Sequence, residues 1–497
     1  MRLRHFLTGL ILGLLTISCK KDFLKTAPTD ATNANQAYAT TKGCYTALEG
    51  INRLMYMQSD YNGTYNMDQC GQQSTNIRMD MMGADNVSSG SGNGWYNESY
   101  DWTGHRSATG RETRYLYYYY YRIIRNANGL IENTGNATGS EGERKSIKGQ
   151  AYVYRAWSHF MLVQLFAQRY DAAKSNDQPG VVYQTFSQDF SPKPRATVEN
   201  VYKQINGDLD SAISLLSPNV PVRDDVSNID LSVAKGIKAR VALVMQDWNN
   251  AVKYASEACV GYSLMTNAQY LSGFNDFTNP EWMWGSRVIS DQNNYFYSFF
   301  AFMSPNFNST FIRTNTRLIN SSLYKMIPAT DIRAKCWDPS GEYTLTQPPK
   351  KKLPYVTKKF LAQDAGSSLG DLVYMRSAEM YLIQAEAKAR MNDDEGAKNV
   401  LEILLKNRNP SGYQRPTEIG NALVQYVLAQ RRIELWGEGF AFLDLKRCNL
   451  ALNRTSANHD AALCRILQMP SGDKQWQFLI PQDEINATGG IVTQNEL

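Results

Sequence analysis

Glu434 and Glu438 stand four residues apart with Asp444 close behind, and glycoside hydrolysis is work for paired carboxylates. Two carboxylates on one face of a helix cannot flank a substrate from opposite sides, however. Arg431, Arg432 and Arg447 are just as near in sequence, so ion-paired structural carboxylates are the plainer reading. Gly437 and Gly439 mark where that helix should end. The four histidines are His5, His105, His159 and His459. None has metal-ligand spacing with another, and neither HExxH nor GxSxG occurs. His159 falls inside a helical pattern and reads as a core residue. His105, beside Arg106, falls in a loop where it could meet a ligand, although an ordinary loop histidine is the simpler account. The glycines of SSGSGNG, residues 88–94, match a phosphate cradle only in composition, with no strand expected before them and no lysine after. Nucleophilic and metal catalysis both lack their parts, no cofactor is expected, and the chain is read as a non-enzyme.

The aromatic residues are more informative. Thirty tyrosines are roughly twice ordinary usage, joined by nine tryptophans and eighteen phenylalanines. Residues 58–111 show no periodicity and are rich in Gly, Asn and Ser; they carry Trp95, Tyr96, Tyr100 and Trp102. A loop this long inside a compact domain is usually functional. A hydrophobic content of 43% with 20% charged residues allows a large core. The net charge of +5 is small and dispersed, with Lys350-Lys351-Lys352 the one basic run, so no nucleic-acid footprint is visible.

The elements that must hold these loops are helices. Ala378, Leu382, Ala385 and Ala389 recur at helical spacing, Met391-Asn392-Asp393 interrupts, and Ala397, Val400, Leu401, Leu404 and Leu405 resume. So short a turn makes the two helices antiparallel, with alanines of the first admitting leucines of the second. Glu386 and Arg390 are expected to pair on the solvent side, and Thr417 to cap a third helix reaching Glu438. Such a pair buries too little alone and needs neighbours. Further helices are expected over residues 33–57, 111–133, 143–167 and 198–216, and a second alanine-rich pair over 231–246 and 248–259. The five consecutive tyrosines at 117–121 must point all round their helix, most of them into the core. Residues 178–194 read as a loop, and 261–371 lose helical period, with short strands expected.

At the N-terminus Arg2 and Arg4 precede an apolar run, residues 6–17, that stops at Ser18-Cys19. This reads as a signal peptide over 1–18 with a lipoprotein cleavage site before Cys19, whose acylation would anchor the protein without spanning the bilayer. Residues 19–32 are the lipidated tether. Residues 33–497 form one domain, with an N-terminal part to 260, a loop-rich insert over 261–370 and a C-terminal part over 371–497. The six cysteines after Cys19 include no CxxC and read as neither a disulfide framework nor a zinc site.

Six segments in order resemble one family. KGQAYVYRAWSHFMLVQLFA, with Ala151, Arg155, Ala156 and Phe160, is similar to a helix signature of the SusD/RagB outer-membrane lipoproteins of Gram-negative nutrient uptake. VYKQINGDLDSAISLL, with Asp208, Leu209 and Ala212, and KGIKARVALVMQDWNNAVKYASEA resemble the helices that come next. MRSAEMYLIQAEAKAR, RRIELWGEGFAFLDLKR and LIPQDEIN resemble the C-terminal signatures. The resemblance implies a mostly α fold in which four tetratricopeptide-like helical pairs support long irregular loops with a few short strands. It implies an outward-facing outer-membrane lipoprotein that caps a SusC-type TonB-dependent transporter and passes it oligosaccharides, or in some members peptides. It also implies that glycan rests on aromatics from two loops, here residues 85–102 and 282–311. In those loops Trp95, Tyr96, Asn97 and Tyr100, with Asn294, Tyr295 and Tyr297, offer ring faces for sugar C–H groups and amides for hydroxyls. Tyr295 and Tyr297 would share a face if their run is a strand. Each ring could equally anchor its own loop, and only two or three need be free. A peptide binder on the same fold, a glycosidase and a ligand-free adaptor remain as alternatives.

Overall fold

The computed structural model describes residues 34–59, 65–217, 220–342 and 352–497. The expected signal peptide, Cys19 and the expected tether lie outside these, as do Lys350 and Lys351. The helix expected over 33–57 is two pieces, one turn at Ala34–Ala37 and α1, Thr41–Leu54. The Thr40 side chain caps the Gly43 N–H at 3.1 Å, and the Thr41 N–H reaches Thr138 O at 2.9 Å, which draws the chain out between them. Helix α2, Gly71–Met81, lies in the stretch that reads as structureless. Its sequence GQQSTNIRMDM is buried at every position except Asn76, so no polar face exists to produce a period. Polar partners make that burial tolerable. Arg78 pairs with Asp68 at 2.9 Å, Tyr120 Oη donates to Gln72 Oε1 at 2.8 Å, and Asp80 accepts the Gly439 N–H at 3.0 Å.

Strand β1, Asn86–Ser88, does precede the glycine run, contrary to expectation, but the run itself is loop. Helix α3, Arg111–Asn133, buries Tyr117, Tyr119 and Tyr120 and half-buries Tyr118 and Tyr121. Helix α4, Glu141–Phe166, opens on a capping box between Ser140 and Glu143 and is buried at every residue from Val153 to Phe166. Helix α5, Val198–Leu215, is tied to it by Arg155, whose Nε and Nη2 grip the two Asp208 oxygens at 2.7 and 2.6 Å. Helices α6, Leu231–Val244, and α7, Trp248–Ala258, form the alanine-rich pair, with Ala251, Ala255 and Ala258 inside.

Between this pair and the next lie β2, Trp282–Ser286; β3, Arg317–Ile319; β4, Trp337–Asp338; β5, Val356–Thr357; and β6, Leu372–Arg376. Strand β2 pairs antiparallel with β6, and the others make a small antiparallel sheet in the order β1-β3-β5-β4. Helices α8, Ser377–Arg390, and α9, Asp394–Arg408, form the expected hairpin. Ala378, Leu382, Ala385 and Ala389 pack with Leu401, Leu404 and Leu405 in a cluster separate from the main core. Helix α10, Gly420–Glu434, starts after Ile419 with no side-chain cap, so Thr417 does not cap it, and it stops four residues short of Glu438. Glu386 does pair with Arg390, at 2.9 Å, but its carboxylate is fully buried because Arg447 grips it from the other side at 2.7 Å.

Packing runs from helix to helix in chain order from α3 through α8, with α9 and α10 both against α8. The fold is mostly α, a stack of tetratricopeptide-like pairs carrying irregular loops and a few short strands. The main core reaches from Cys44 to Val492. Among the described residues no helix is long and apolar enough to cross a membrane, no acidic, histidine or cysteine cluster could hold a metal, and the six cysteines are free thiols.

Candidate functional site

The carboxylates with catalytic spacing belong to a sealed lattice of charges. Glu434 accepts from Arg376 Nη1 at 2.6 Å, Arg408 Nη2 at 2.9 Å and Arg333 Nη1 at 3.4 Å. Glu281 accepts from the same Arg376 and Arg408 at 2.6 and 2.8 Å. Lys359 Nζ donates to Glu438 at 2.7 Å, and Arg333 holds Asp331 at 2.7 Å. Arg333, Lys359, Arg376 and Arg408 thus balance Glu281, Asp331, Glu434 and Glu438, all essentially without solvent contact. Burial alone would raise Glu434, but Arg408, Arg376 and Arg333 outweigh it and hold the carboxyl well below its usual range. A carboxylate that stays ionised and out of reach of substrate cannot serve as a general acid. Asp444 is likewise taken up, by Arg431 and Arg447, both at 2.7 Å.

The histidines are equally committed. His159 Nδ1 lies 2.9 Å from Arg155 O, its Nε2 accepts the Gln184 N–H at 3.1 Å, and its ring stacks on Tyr183. His105 is a buried residue, not a ligand-facing one, with Nε2 2.7 Å from Gln475 O. Burial pushes both imidazoles down to about 3.

The two aromatic loops divide residue by residue. Trp95 is half-buried with the Arg111 guanidinium 5.2 Å over its ring, and Arg111 reaches Asp68 at 3.2 Å. Tyr96, next along, turns inward, and so does Tyr100; neither presents a ring face to solvent, against expectation. The reason is local and chemical. Tyr96 takes the left-handed conformation, φ 65°, which swings its ring onto Phe302 at 5.0 Å and beneath Arg78 at 5.2 Å, with Oη donating to Ser74 Oγ at 3.2 Å. Tyr100 Oη lies 2.6 Å from His459 Nδ1, and Arg454 covers the ring at 4.9 Å. Asn97 is half-exposed and its Nδ2 donates to Ser91 O at 2.9 Å, closing its own loop.

In the second loop Tyr295–Tyr297 is one turn of 3-10 helix, not a strand, so Tyr295 and Tyr297 share no strand face. Tyr295 and Phe296 are 43% and 44% exposed. Their rings meet edge to face with centroids 4.3 Å apart, and both rest on Phe307, at 5.6 and 5.9 Å. Tyr297 is half-buried. Asn294 Nδ2 donates to Tyr56 O at 2.6 Å. Sequence reasoning passed over Phe296, though three consecutive rings on so short a turn cannot all point inward.

The two loops share one support. Tyr96 and Gly92 sit on Phe302 and Phe311, which come directly after the Tyr295 turn in the chain. A second bridge runs through the segment after α1. Tyr56 meets both Gln292 and Asn294, the Ser59 N–H reaches Gln69 O at 2.9 Å, and Asp68 holds the Arg111 that covers Trp95. Tyr65, in the same segment, is strongly exposed. Flat apolar rings beside amide groups can cover the C–H face of a sugar while bonding its rim.

Comparison with known proteins places the fold. A model described as "Starch-binding associating with outer membrane" matches residues 32–243, and the SusD family model matches residues 244–497. The chain belongs to the SusD/RagB family. A SusD-like carbohydrate-binding protein from Bacteroides vulgatus superposes with TM-score 0.77 at 24% identity, over 91% of this chain and 97% of its own. Surface glycan-binding protein A from Bacteroides thetaiotaomicron gives 0.68 at 18%, over 93% and 100%. A laminarin-binding SusD-like protein gives 0.69 at 19%, over 92% and 99%. No curated protein sequence matches the chain. In this SusD-family chain the signature residues have structural duties: Arg155 and Asp208 clamp α4 to α5, and Glu434 and Glu438 sit in the charge lattice.

Proposed function

We propose that the protein binds oligosaccharide outside the cell and hands it, unaltered, to a SusC-type TonB-dependent transporter in the outer membrane, to which it is anchored by acyl chains on Cys19. The carrying observation is the exposed Tyr295–Phe296 pair, fixed on Phe307 and joined through Tyr56, the Ser59–Gln69 contact and the Asp68–Arg111 pair to the loop that carries Trp95. Fixed rings lose little entropy on binding, which suits reversible capture of a flexible ligand. The carbohydrate-binding names of the structural relatives support a glycan ligand. Trp95, Tyr295 and Phe296 supply the faces, and Asn97 and Asn294 the polar rim; Tyr297 lies at the edge of the surface. Tyr96 and Tyr100 act as anchors under the first loop.

Affinity electrophoresis and calorimetry against soluble α-glucans, β-glucans, mannans and xylans test the reading. One class is expected to bind, and Trp95→Ala, Tyr295→Ala and Phe296→Ala each to weaken it about fivefold or more, as truncating a central contact residue does. Retention of full affinity by all three would remove this surface as the site. Binding of peptides with no glycan bound would move the protein to the peptide alternative, and release of shortened sugars would make it an enzyme. Delivery is tested by co-purification with a TonB-dependent barrel from native membranes.

A further inference from the structure

The loop after α4 carries the two most exposed phenylalanines among the described residues, Phe186 at 59% and Phe190 at 68%. They are not loose. The Ser187 N–H and Oγ donate to the Glu132 carboxylate of α3 at 2.7 and 2.6 Å, and Asn128 Nδ2 of the same helix donates to Gln184 O at 3.2 Å. Gln184 Nε2 in turn closes the loop on Phe186 O and Asp189 O. The Phe190 ring lies 4.9 Å beneath the Arg125 guanidinium. Arg125 and Glu132 are seven residues apart on one stripe of α3, about 10 Å along the helix, and hold the loop at two points through Phe190 and Ser187. Arg125 has no carboxylate partner among the described residues, and its charge faces outward beside the rings.

The N-terminal segment enters the body at this same stripe. Tyr38 packs into the notch of Gly129, its hydroxyl 2.7 Å from where a Cβ would stand, between the Arg125 and Glu132 turns. Residues 20–33 lead from Cys19 to the helical turn at Ala34–Ala37 that precedes Tyr38, and fully extended they span at most about 50 Å. An acylated Cys19 therefore tethers the body to the bilayer from this face of α3.

We infer that Phe186, Phe190 and Arg125 form a footprint on the lipid surface, the two rings entering the headgroup boundary and the guanidinium meeting lipid phosphate. This rests on the proposed anchoring at Cys19. Two exposed rings on a hydrogen-bonded loop and one cation on the adjoining helix match the chemistry of interfacial attachment. They are too little to hold a protein alone but enough to fix the orientation of one already tethered. The consequence is that the protein leans on the membrane by its α3 edge and does not swing freely on its tether.

The test uses lipidated full chain in vesicles of phosphatidylethanolamine and phosphatidylglycerol, with Phe186→Trp, Phe190→Trp and, as control, Ile403→Trp on the C-terminal hairpin. Lipids brominated high on the acyl chain quench indoles that lie about 5–10 Å into the interface. Fluorescence at 186 and 190, taken as the difference from wild type, is expected to be quenched and blue-shifted, with the 403 signal unchanged and Arg125→Glu reducing the quenching. Unquenched 186 and 190 in protein that floats with the vesicles overturn the footprint and leave the anchor standing; the rings then face the tether or another protein. If the lipidated chain does not float, anchoring at Cys19 fails. The footprint is then judged on the unlipidated body held to nickel-chelating lipid by an N-terminal histidine tag, where the same quenching pattern upholds it and its absence overturns it.

Discussion

Replacing Glu434 with glutamine removes one charge from the buried lattice and almost nothing from its shape. In the native protein four cations face four carboxylates, and Glu434 alone accepts from three guanidiniums, at 2.6, 2.9 and 3.4 Å. Glutamine can accept at one oxygen, but its amide group must then point donors at Arg376 or Arg408, which are donors themselves. One unit of positive charge is left uncompensated where no water reaches. Breaking a buried pair in this way costs about 3–5 kcal/mol. Unfolding entropy of about 2 cal/mol/K per residue, over 497 residues, comes to roughly 1 kcal/mol/K. Glu434→Gln should therefore lower Tm by about 3–5 °C if the body melts cooperatively. Adding Arg408→Gln restores neutrality, and the pair of changes should cost less than the sum of the two alone. The control is Glu342→Gln, which breaks the exposed Lys352–Glu342 pair and should move Tm by well under about 1 °C. Calorimetric melting of the single variants, the double and the control, with far-UV circular dichroism to confirm the fold, decides it. A Glu434→Gln protein within about 1 °C of wild type, or strict additivity in the double, would refute the claim that mutual neutralisation holds this region together.

The same contacts yield further expectations. Tyr96→Phe should lose about 1 kcal/mol, the worth of its hydroxyl contact with Ser74. Tyr96→Ala should lose about 3–5 kcal/mol and weaken glycan binding as well, because the loop under Trp95 loses its seat; denaturant titration and calorimetry read both. Burial raises Glu386, but Arg447, Arg390 and Arg431 prevail and hold it at about 2, against 4.5 for the free side chain. Its stabilisation is thus complete above pH 4.5 and is lost as the pH falls toward 2, so Glu386→Gln should flatten the acid limb of a stability–pH curve. An unchanged limb would remove Glu386 from the account. Gly439→Ala should cost about 3 kcal/mol or more, since φ is +92° and a Cβ would lie 2.7 Å from Asn76 Cα. The His159 ring, held at about 3 by burial, should show no titration by NMR near neutral pH; a midpoint near its ordinary 6.5 would mean that water reaches it.

How much of the fold was legible in the sequence depends on what kind of residue an element buries. Helices α7 and α9 each have one apolar and one wet face, and α6 and α8, although enclosed nearly all round, bury alanines and aliphatic residues at helical spacing, so both pairs announced themselves. Helix α2 is enclosed on all sides by partners that satisfy its Gln, Ser, Thr, Arg and Asp groups, and burying polar groups erases the period on which such reading depends. Glu434 and Glu438 could be read as ion-paired because arginines surround them in sequence. The partners that matter most, Arg333, Arg376, Arg408, Lys359 and Glu281, come from distant stretches that only the fold assembles.

The binding loops show a different kind of limit. Trp95 and Tyr96 are adjacent and alike in chemistry, yet one is half-buried under Arg111 and the other is fully buried. Their separation is made by a left-handed backbone at Tyr96, and the second loop repeats the device with φ 49° at Tyr295, whose carbonyl accepts from Ser368. A bulky residue held at positive φ carries a cost that surrounding contacts must offset. At Tyr96 the offset is visible as Phe302, Arg78 and Ser74; at Tyr295 it is Phe307 and Ser368. In the first loop the strained residue turns its own ring inward and leaves Trp95 half-buried above it; in the second the strained Tyr295 stays exposed with Phe296 beside it. Composition can say that a loop has rings to offer, but which ring it offers is settled by one backbone angle that the remainder of the fold enforces.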